Sequence, residues 1–419
     1  MNIKQELLSV VACGLAFASF GSGFGLYEAS SPTYALGGAV VGRAYDASAN
    51  FYNPATLTDL TNLTVTAGFM TEHPRGRMKT DMSGGHTSSM DPGVFCLPHF
   101  HLAIPLPWDF AFGLGVMPEY GLGSEYSDNW DLNFNSIDTT VMSFTVNPNL
   151  AYKVTDKWSV GAGMRFLYFD FEQHSLPVVT PNGHRFKNRL KGDNDMKDYG
   201  YQVGTKYDLL ENFAVGLVYK STTRVHVKGT SRNHLYSAAD PKTAAALSVA
   251  AAQKSGAAKT SLDLPQSITG GFNWDITPTW HLGGTIAWTD WSSIGTLNFH
   301  LPGQTKEIKL KWKDTWRFGL APSWDFAEDW TWLASYVFET DCCGDQDSTM
   351  LPPSERHMIS TGLVWHFNEN LDFGLTYGII LMHGNESDCT EVNVSHKKYH
   401  YTAHRALSHA AGFTVTWRF

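Results

Sequence analysis

The sequence is short of charge and of long apolar runs, and each shortage excludes a class of protein. Charged residues make up 17% of the 419 residues, below the roughly 25% of soluble domains. Beyond the N-terminus there is no run of roughly 18 apolar residues, which excludes a protein that crosses a membrane with helices. The formal net charge of −9 argues against a nucleic-acid partner, which would need a basic surface.

Cysteine is also scarce, with five in the chain. No pair has the spacing of a zinc site, so we expect no metal site and no cofactor. The adjacent Cys342 and Cys343 are poor partners for each other, whereas a bridge from Cys389 to either of them is one alternative. His99 and His101 share a strand face, but two histidines without a third clustered ligand do not make a metal site.

The first 21 residues are predicted to be a secretory signal. Their apolar part, residues 7–18, is too short to span a membrane and is followed by small residues. Ser19 and Gly21 form a small-x-small pair that predicts cleavage after Gly21, with cleavage after Ala18 as the alternative. Export implies an oxidising compartment.

What the chain does have is aromatic residues, glycine and strict alternation. Aromatics reach 13%, with 14 Trp and 38 Gly. At the C-terminus, bulky residues share one face of a period-two pattern, which is typical of a β-strand; they are Phe413, Val415, Trp417 and Phe419. A strand that is apolar on one face and ends on a terminal Phe is typical of the last strand of an outer-membrane barrel. Phe419 is therefore the expected signal for the barrel-assembly machinery.

Fourteen such alternating segments follow residue 61. They are 62–71, 96–106, 109–118, 139–155, 157–172, 196–209, 212–229, 260–276, 279–295, 306–325, 330–341, 353–367, 370–384 and 402–419. Short polar turns and long links alternate between them, as in outer-membrane barrels with periplasmic turns and extracellular loops. The sequence therefore predicts an all-β fold, a transmembrane antiparallel β-barrel of about 14 strands over residues 61–419.

The predicted faces agree with this topology. In segment 157–172 the outward residues are Trp158, Val160, Ala162, Met164, Phe166 and Tyr168, whereas Ser159, Gly161, Gly163 and Arg165 face inward. A cationic side chain facing lipid at the midplane costs about 2–4 kcal/mol, so the register is strongly constrained. Aromatic residues also follow the short turns, as an aromatic girdle requires.

One loop and one alternating segment are candidates for ligand contact. Residues 241–254 are Ala-rich and predict a short helix, which is either a plain loop helix or one wall of an external apolar groove. In segment 306–325, four cations share one predicted face: Lys309, Lys311, Lys313 and Arg317. They are either a solvated rim or a site that captures a carboxylate.

Residues 23–55 resemble a known family. Gly23–Ser30, Leu36-Gly37 and Asp46–Ala55 are similar to the hatch of the long-chain fatty acid and hydrocarbon transporters of Gram-negative outer membranes, the FadL/TodX type. Matches also occur at Asp263–Gln266 and Trp312–Arg317. The residues that carry the hatch resemblance are Phe24, Leu26, Glu28, Gly37, Asp46, Asn53, Pro54 and Ala55.

The resemblance implies a fourteen-stranded barrel in which residues 22–60 fold inside as a hatch. It implies passive uptake of fatty acids or hydrocarbons, which bind in an outer groove, pass to a pocket near the N-terminus and leave sideways into the bilayer. Thr56 replaces the glycine often found after Asn-Pro-Ala, and the 173–195 loop is short, so the implied groove shape does not carry over.

Sideways exit needs a gap in the wall. A kinked strand supplies unpaired backbone, because proline removes a ladder donor and glycine favours bulges. The expected positions are Pro105, Pro107, Gly113 and Gly115.

The predicted protein is a monomeric transporter, not an enzyme, in the outer membrane of a Gram-negative bacterium. Its expected partners are a hydrophobic small molecule, outer-membrane lipid and lipopolysaccharide. Two alternatives remain: a barrel lipid hydrolase, whose catalytic residues could lie far apart in sequence, and a general porin.

Overall fold

The structure is a computed structural model. It describes residues 23–81, 87–176, 185–237, 241–343, 350–351, 354–384, 390–391 and 400–419. The predicted signal at residues 1–21 and Cys389 lie outside the described residues.

Most of the described chain is β-strand. The strands are β1 (Thr64–Thr80), β2 (Thr87–Met90), β3 (Phe95–Pro105), β4 (Phe110–Met117), β5 (Gly121–Glu125), β6 (Asp138–Thr155), β7 (Trp158–Ser175), β8 (Arg185–Asp193), β9 (Asp198–Leu210), β10 (Phe213–Lys220), β11 (Thr223–Ser237), β12 (Gly256–Leu264), β13 (Ser267–Asp275), β14 (Trp280–Thr289), β15 (Thr296–Leu301), β16 (Gln304–Lys309), β17 (Thr315–Ala327), β18 (Trp330–Glu339), β19 (Glu355–Asn368), β20 (Leu371–His383), β21 (Thr390–Glu391) and β22 (His400–Arg418).

These strands form one closed antiparallel barrel, and together they make up fourteen membrane-crossing strands. Each of the fourteen crossings pairs with the next one along the chain; we call each crossing a strand path. β22 closes the ring by pairing with β1, and this ladder begins where Arg418 pairs with Thr64. Several paths are two strands in line, as β10 is with β11 and β13 with β12. The prediction of a barrel of about 14 strands is confirmed.

The two faces of the wall separate as predicted. Trp158 and Leu217 are exposed on the outside, whereas Arg165 is buried on the inside. Near the short turns, rings of adjacent strands stack, as Trp280 does on Trp324 with centroids 5.1 Å apart. Alternation at period two is thus sufficient to assign these side chains to lipid or lumen.

The segment before the first strand lies inside the barrel. It contains α1 (Ser31–Ala35), α2 (Ala49–Tyr52) and a 3-10 helix (Pro54–Asp59). Nearly all of residues 23–57 are buried, and these elements contact inward faces of β6, β7, β9, β19 and β20. The barrel lumen is therefore filled by its own N-terminal segment.

One helix lies outside this core. α3 (Pro241–Gln253) connects β11 to β12, at the position where the sequence predicts a short helix. In the described part of the chain, no helix is long and apolar enough to cross a membrane.

Candidate functional site

An apolar cavity surrounds the start of the N-terminal segment. Its free volume is only about 30 Å³, because the rings that line it lie close together. The lining residues are nearly all apolar: Phe24, Val141, Phe169, Phe171, Val227, Thr260, Leu262, Ile294, Leu297, Phe299, Leu310, Trp312 and Met350. Such a space suits an apolar ligand, since burial of apolar surface is the only large favourable contact it offers.

Phe24 is at the centre of this cavity and is buried. Its ring centroid lies 5.2 Å from Trp291, 5.9 Å from Trp312 and 5.9 Å from Tyr120, each in an edge-on arrangement. Aromatic pairs at these distances and angles stabilise each other beyond simple burial. The N-terminal segment is thus held on this side by an aromatic cluster.

The wall of the barrel is interrupted beside this cluster, between β3 and the path formed by β4 and β5. β4 pairs with β3 as far as Val116, and β5 then pairs with β6 from Gly121 onwards. In the described ladders, the part of β3 before Phe100 pairs with β1 alone. Pro118 lies at the break, where its missing N–H is not needed for a ladder.

Residues 24–26 occupy the inner side of the interruption. The N–H of Leu26 donates to the carbonyl of Glu119 (2.9 Å), and the N–H of Gly121 donates to the carbonyl of Phe24 (2.8 Å). Gly25 and Tyr120 form an antiparallel bridge between these two bonds. The N-terminal segment therefore satisfies backbone groups that the interrupted wall leaves without a strand.

The structure places the residues predicted for the gap in paired strands or in a turn, away from this interruption. Gly113 and Gly115 pair with both β3 and β6, and Pro105 pairs within the β3–β4 ladder. Pro107 lies in the short turn after β3. Glycine at 113 instead makes room for the hatch, because a Cβ there would overlap with Asn50 Oδ1. In the sequence, the interruption itself is marked by Pro118, with Gly121 and Gly123 soon after it.

A buried ionic cluster lies at the same interruption. Arg165 contacts both carboxylate oxygens of Glu119, at 2.6 Å and 3.2 Å. Lys220 Nζ lies 3.5 Å from Glu119 Oε1 and 3.3 Å from the ring centroid of Phe51. These residues come from three separate strand paths, so no spacing in the sequence points to them. A ligand carboxylate that reached the lumen would meet Lys220 here.

The predicted lysine face does not form as expected. Lys309, Lys311 and Lys313 are exposed, whereas Arg317 is buried in the lumen. β16 ends at Lys309 and β17 begins at Thr315, and the residues between them are not strand, so the alternation of faces is lost. The lysines therefore lie outside, and the apolar residues between them line the cavity.

The Asn-Pro-Ala sequence anchors the hatch. Asn53 Oδ1 accepts the N–H of Ala55 (3.0 Å), and Asn53 Nδ2 donates to the carbonyls of Val41 (2.7 Å) and Thr205 (3.1 Å). Pro54 begins the 3-10 helix, where its missing N–H costs nothing. The Asn53 side chain thus caps the 3-10 helix and holds both this helix and the loop at Val41 against β9.

Glycines on the inner wall allow this close approach. A Cβ on Gly204 would overlap with Asn53 Oδ1, one on Gly161 with the backbone of Pro54, and one on Gly216 with the carbonyl of Val41. The wall strands β7, β9 and β10 therefore present bare backbone to the hatch.

The other residues predicted for the hatch are also buried inside the barrel. Asp46 accepts hydrogen bonds from the Ser30 hydroxyl (2.7 Å) and the Ser48 N–H (2.8 Å), and burial raises its pKa. Glu28 is also buried. Gly37 follows α1 with φ +57°, a backbone conformation that favours glycine and commonly ends helices.

α3 forms one wall of an outer groove of about 300 Å³. Leu247 and Ala251 of the helix face Phe186 and Leu301 across it. Strand β15 links this groove to the inner cavity, because Leu297 and Phe299 line the cavity while Leu301 lines the groove. Alternate residues of a strand share a face, so β15 presents these three apolar side chains in a row between the two.

The opposite end of the lumen is charged. Beside the short turns, His281 bonds Asp275 (2.7 Å) and Asp325 (3.1 Å). A continuous series of side-chain contacts crosses the rim here: Arg43, Asp275, His281, Asp325, Thr331, His366, Asp372 and Arg418. It borders a cavity of about 420 Å³ that opens at this end.

The sequence matches a family of transport proteins over nearly its whole length. Residues 11–419 match the family described as outer membrane protein transport protein (OMPP1/FadL/TodX). The long-chain fatty acid transport protein of Escherichia coli K12 is 24% identical, over 92% of this chain and 93% of its own. Outer membrane protein P1 of Haemophilus influenzae Rd is also 24% identical, over 90% of each chain.

Solved structures share the fold. A Pseudomonas aeruginosa FadL homologue superposes with a TM-score of 0.82 at 17% identity, covering 95% of this chain and all of its own. The toluene transporter TodX of Pseudomonas putida gives 0.71 at 15% identity, covering 95% and 99%. This protein is an outer-membrane β-barrel of a Gram-negative bacterium, and the chain belongs to the OMPP1/FadL/TodX family of outer membrane transport proteins.

Proposed function

We propose that this protein carries hydrophobic small molecules, long-chain fatty acids or aromatic and alkyl hydrocarbons, passively across the outer membrane. The ligand binds first in the groove beside α3 and moves along β15 to the cavity around Phe24. It leaves sideways, through the interruption between β3 and β5, into the bilayer.

The observation that carries the proposal is the position of residues 24–26. Phe24 lines the apolar cavity on one side, and the backbone of residues 24–26 covers the interrupted wall on the other. Displacing this one short segment would connect the cavity to lipid without passing the ligand through water. That route keeps an apolar molecule desolvated throughout, which a water-filled pore would not.

The choice between fatty acid and hydrocarbon depends on the ionic cluster. Lys220 and Arg165 lie beside Glu119 at the interruption, and charge-assisted hydrogen bonds to a carboxylate are strong where water is excluded. The relatives are named for both kinds of ligand. The cluster supports an acid, whereas the cavity itself is apolar enough for either.

The test is uptake of labelled fatty acid and of toluene by a strain that lacks its own carrier. Cells that produce this protein should take up at least one of the two faster than cells with an empty vector. No gain for either ligand would contradict the proposal. Steady ion conductance of the purified protein in a planar bilayer would favour the porin alternative, because a filled lumen should conduct little.

A further inference from the structure

Two adjacent thiols lie at the edge of the apolar cavity. Cys342 and Cys343 follow β18, both are buried, and their Sγ atoms are 3.9 Å apart. Adjacent residues of a strand point to opposite faces. Here the strand has already ended, so the backbone directs both sulfurs to one side. No pair of cysteines has the sequence spacing of a zinc site, so the sequence alone does not predict a metal site here.

The distance between the sulfurs matches that of two ligands on one metal ion. Zinc–sulfur bonds of about 2.3 Å at a tetrahedral angle place the two sulfurs about 3.8 Å apart. A disulfide would instead require them to approach by about 1.9 Å, to a bond of about 2.05 Å. The observed 3.9 Å therefore fits a shared ion better than a bond between the two thiols.

A carboxylate completes the set. An oxygen of Asp341 and the two sulfurs all lie within 4.8 Å of one another. Oxygen and sulfur ligands of a tetrahedral zinc ion are about 3.6 Å apart. A side-chain rotation that moves the Asp341 oxygen by about 1 Å would therefore bring all three ligands to metal-binding distance. Asp341 is only half-buried, which gives an ion a route from the surface.

Backbone N–H groups already donate to two of these three ligands. The N–H of Gly23 donates to Cys342 Sγ at 3.0 Å, and the N–H of Cys343 donates to Asp341 Oδ1 at 2.9 Å. Bonds of this kind strengthen when the acceptor is ionised. Cysteines that merely fill an apolar core would need neither the carboxylate nor the donors.

We propose that Asp341, Cys342 and Cys343 form a binding site for one soft or borderline cation, Zn²⁺ or Cu⁺ in class, with water in the fourth position. Thiolates select such ions over Mg²⁺ or Ca²⁺. Binding releases the thiol protons to solvent. The site touches Gly23, so the bound ion fixes the loop after β18 against the start of the hatch.

The experiment uses purified full-length protein in detergent, titrated with Co²⁺ as the spectroscopic substitute for Zn²⁺. In a C96S/C389S background, the predicted mature chain keeps only Cys342 and Cys343 as thiols. After reduction and removal of the reductant, we expect thiolate-to-cobalt and tetrahedral d–d bands that saturate at one equivalent and disappear when Zn²⁺ is added.

Three further variants define the site. C342S or C343S in that background should abolish both bands, and D341N should weaken binding by at least about tenfold, as disturbed metal sites commonly show. Retained heat-modifiable migration on a gel shows that each variant is folded. The proposal is overturned if the C96S/C389S protein shows no such bands, or if the bands remain when Cys342 and Cys343 are both replaced by serine. So does a Cys342–Cys343 disulfide found by mass spectrometry in protein never treated with reductant. Because none of these readouts involves uptake, a failed metal site is distinguishable from a failed carrier function.

Discussion

The two ends of the barrel lumen differ in chemistry. Toward the long loops, the space around Phe24 is lined almost entirely by apolar side chains. Beside the short turns, Arg43, Asp275, His281 and Asp372 belong to a continuous series of charged and polar contacts. A hydrophobic ligand gains by entering the first region and gains nothing in the second. The difference supports the proposal that such a ligand leaves through the wall before it reaches the charged end.

The largest expected effect comes from placing a charge in the apolar end. Leu310 is buried in the cavity wall, whereas its neighbour Lys309 is exposed. Burying an unpaired carboxylate costs several kcal/mol, and about 1.4 kcal/mol corresponds to tenfold in affinity. Leu310→Glu should therefore reduce toluene uptake by at least about tenfold, and the control Lys309→Glu should leave it unchanged. Equal effects of the two variants would show that the cavity is not on the path.

A second change tests whether the hatch separates the two ends. Gly216→Val places a side chain where the Val41 carbonyl now lies, whereas Gly270 has only ordinary contacts around it. Overpacking of this kind costs about 1–3 kcal/mol, so the hatch should loosen. We expect ion conductance in planar bilayers to rise several-fold for Gly216→Val but not for Gly270→Ala. Unchanged conductance would mean that the hatch docks without this contact.

The ionic cluster at the interruption should discriminate between ligands. Lys220→Met removes one cation and leaves the Arg165–Glu119 pair intact. A charge-assisted hydrogen bond contributes about 1.5–3 kcal/mol, so uptake of a long-chain fatty acid should fall at least severalfold while toluene uptake stays the same. Kinetics of both substrates in the same cells provide the measurement. A parallel loss for both ligands would assign Lys220 a structural role.

The smallest effect is expected at the charged end. Asp325→Asn removes one member of the rim series, which is partly exposed; such pairs contribute about 0.2–1 kcal/mol to stability. Thermal unfolding in detergent should shift slightly, and uptake of either ligand should remain within about twofold of the wild type. A large loss of uptake would indicate that the ligand does pass this end.

The sequence predicts the barrel better than the site, and for a physical reason. Alternation is local, so Trp158 and Arg165 are assigned to their faces from neighbours alone. The residues between β16 and β17 are not strand, so the alternation of faces does not continue across them. Lys309 and Arg317 therefore lie on opposite faces although the spacing between them is even. The cluster of Glu119 with Arg165 depends on which strands become neighbours, and that information is spread over the whole chain.

The most direct test locks residues 24–26 against the wall. Gly25 and Tyr120 form an antiparallel bridge, and a side chain at Gly25 meets only one ordinary contact. Cα atoms paired in this way are about 4.5–5.5 Å apart, within the range a disulfide spans. In a chain whose own cysteines are replaced by serine, Gly25→Cys with Tyr120→Cys should reduce uptake to background when oxidised, and a reductant should restore it. Full uptake by the oxidised protein would contradict exit through this interruption.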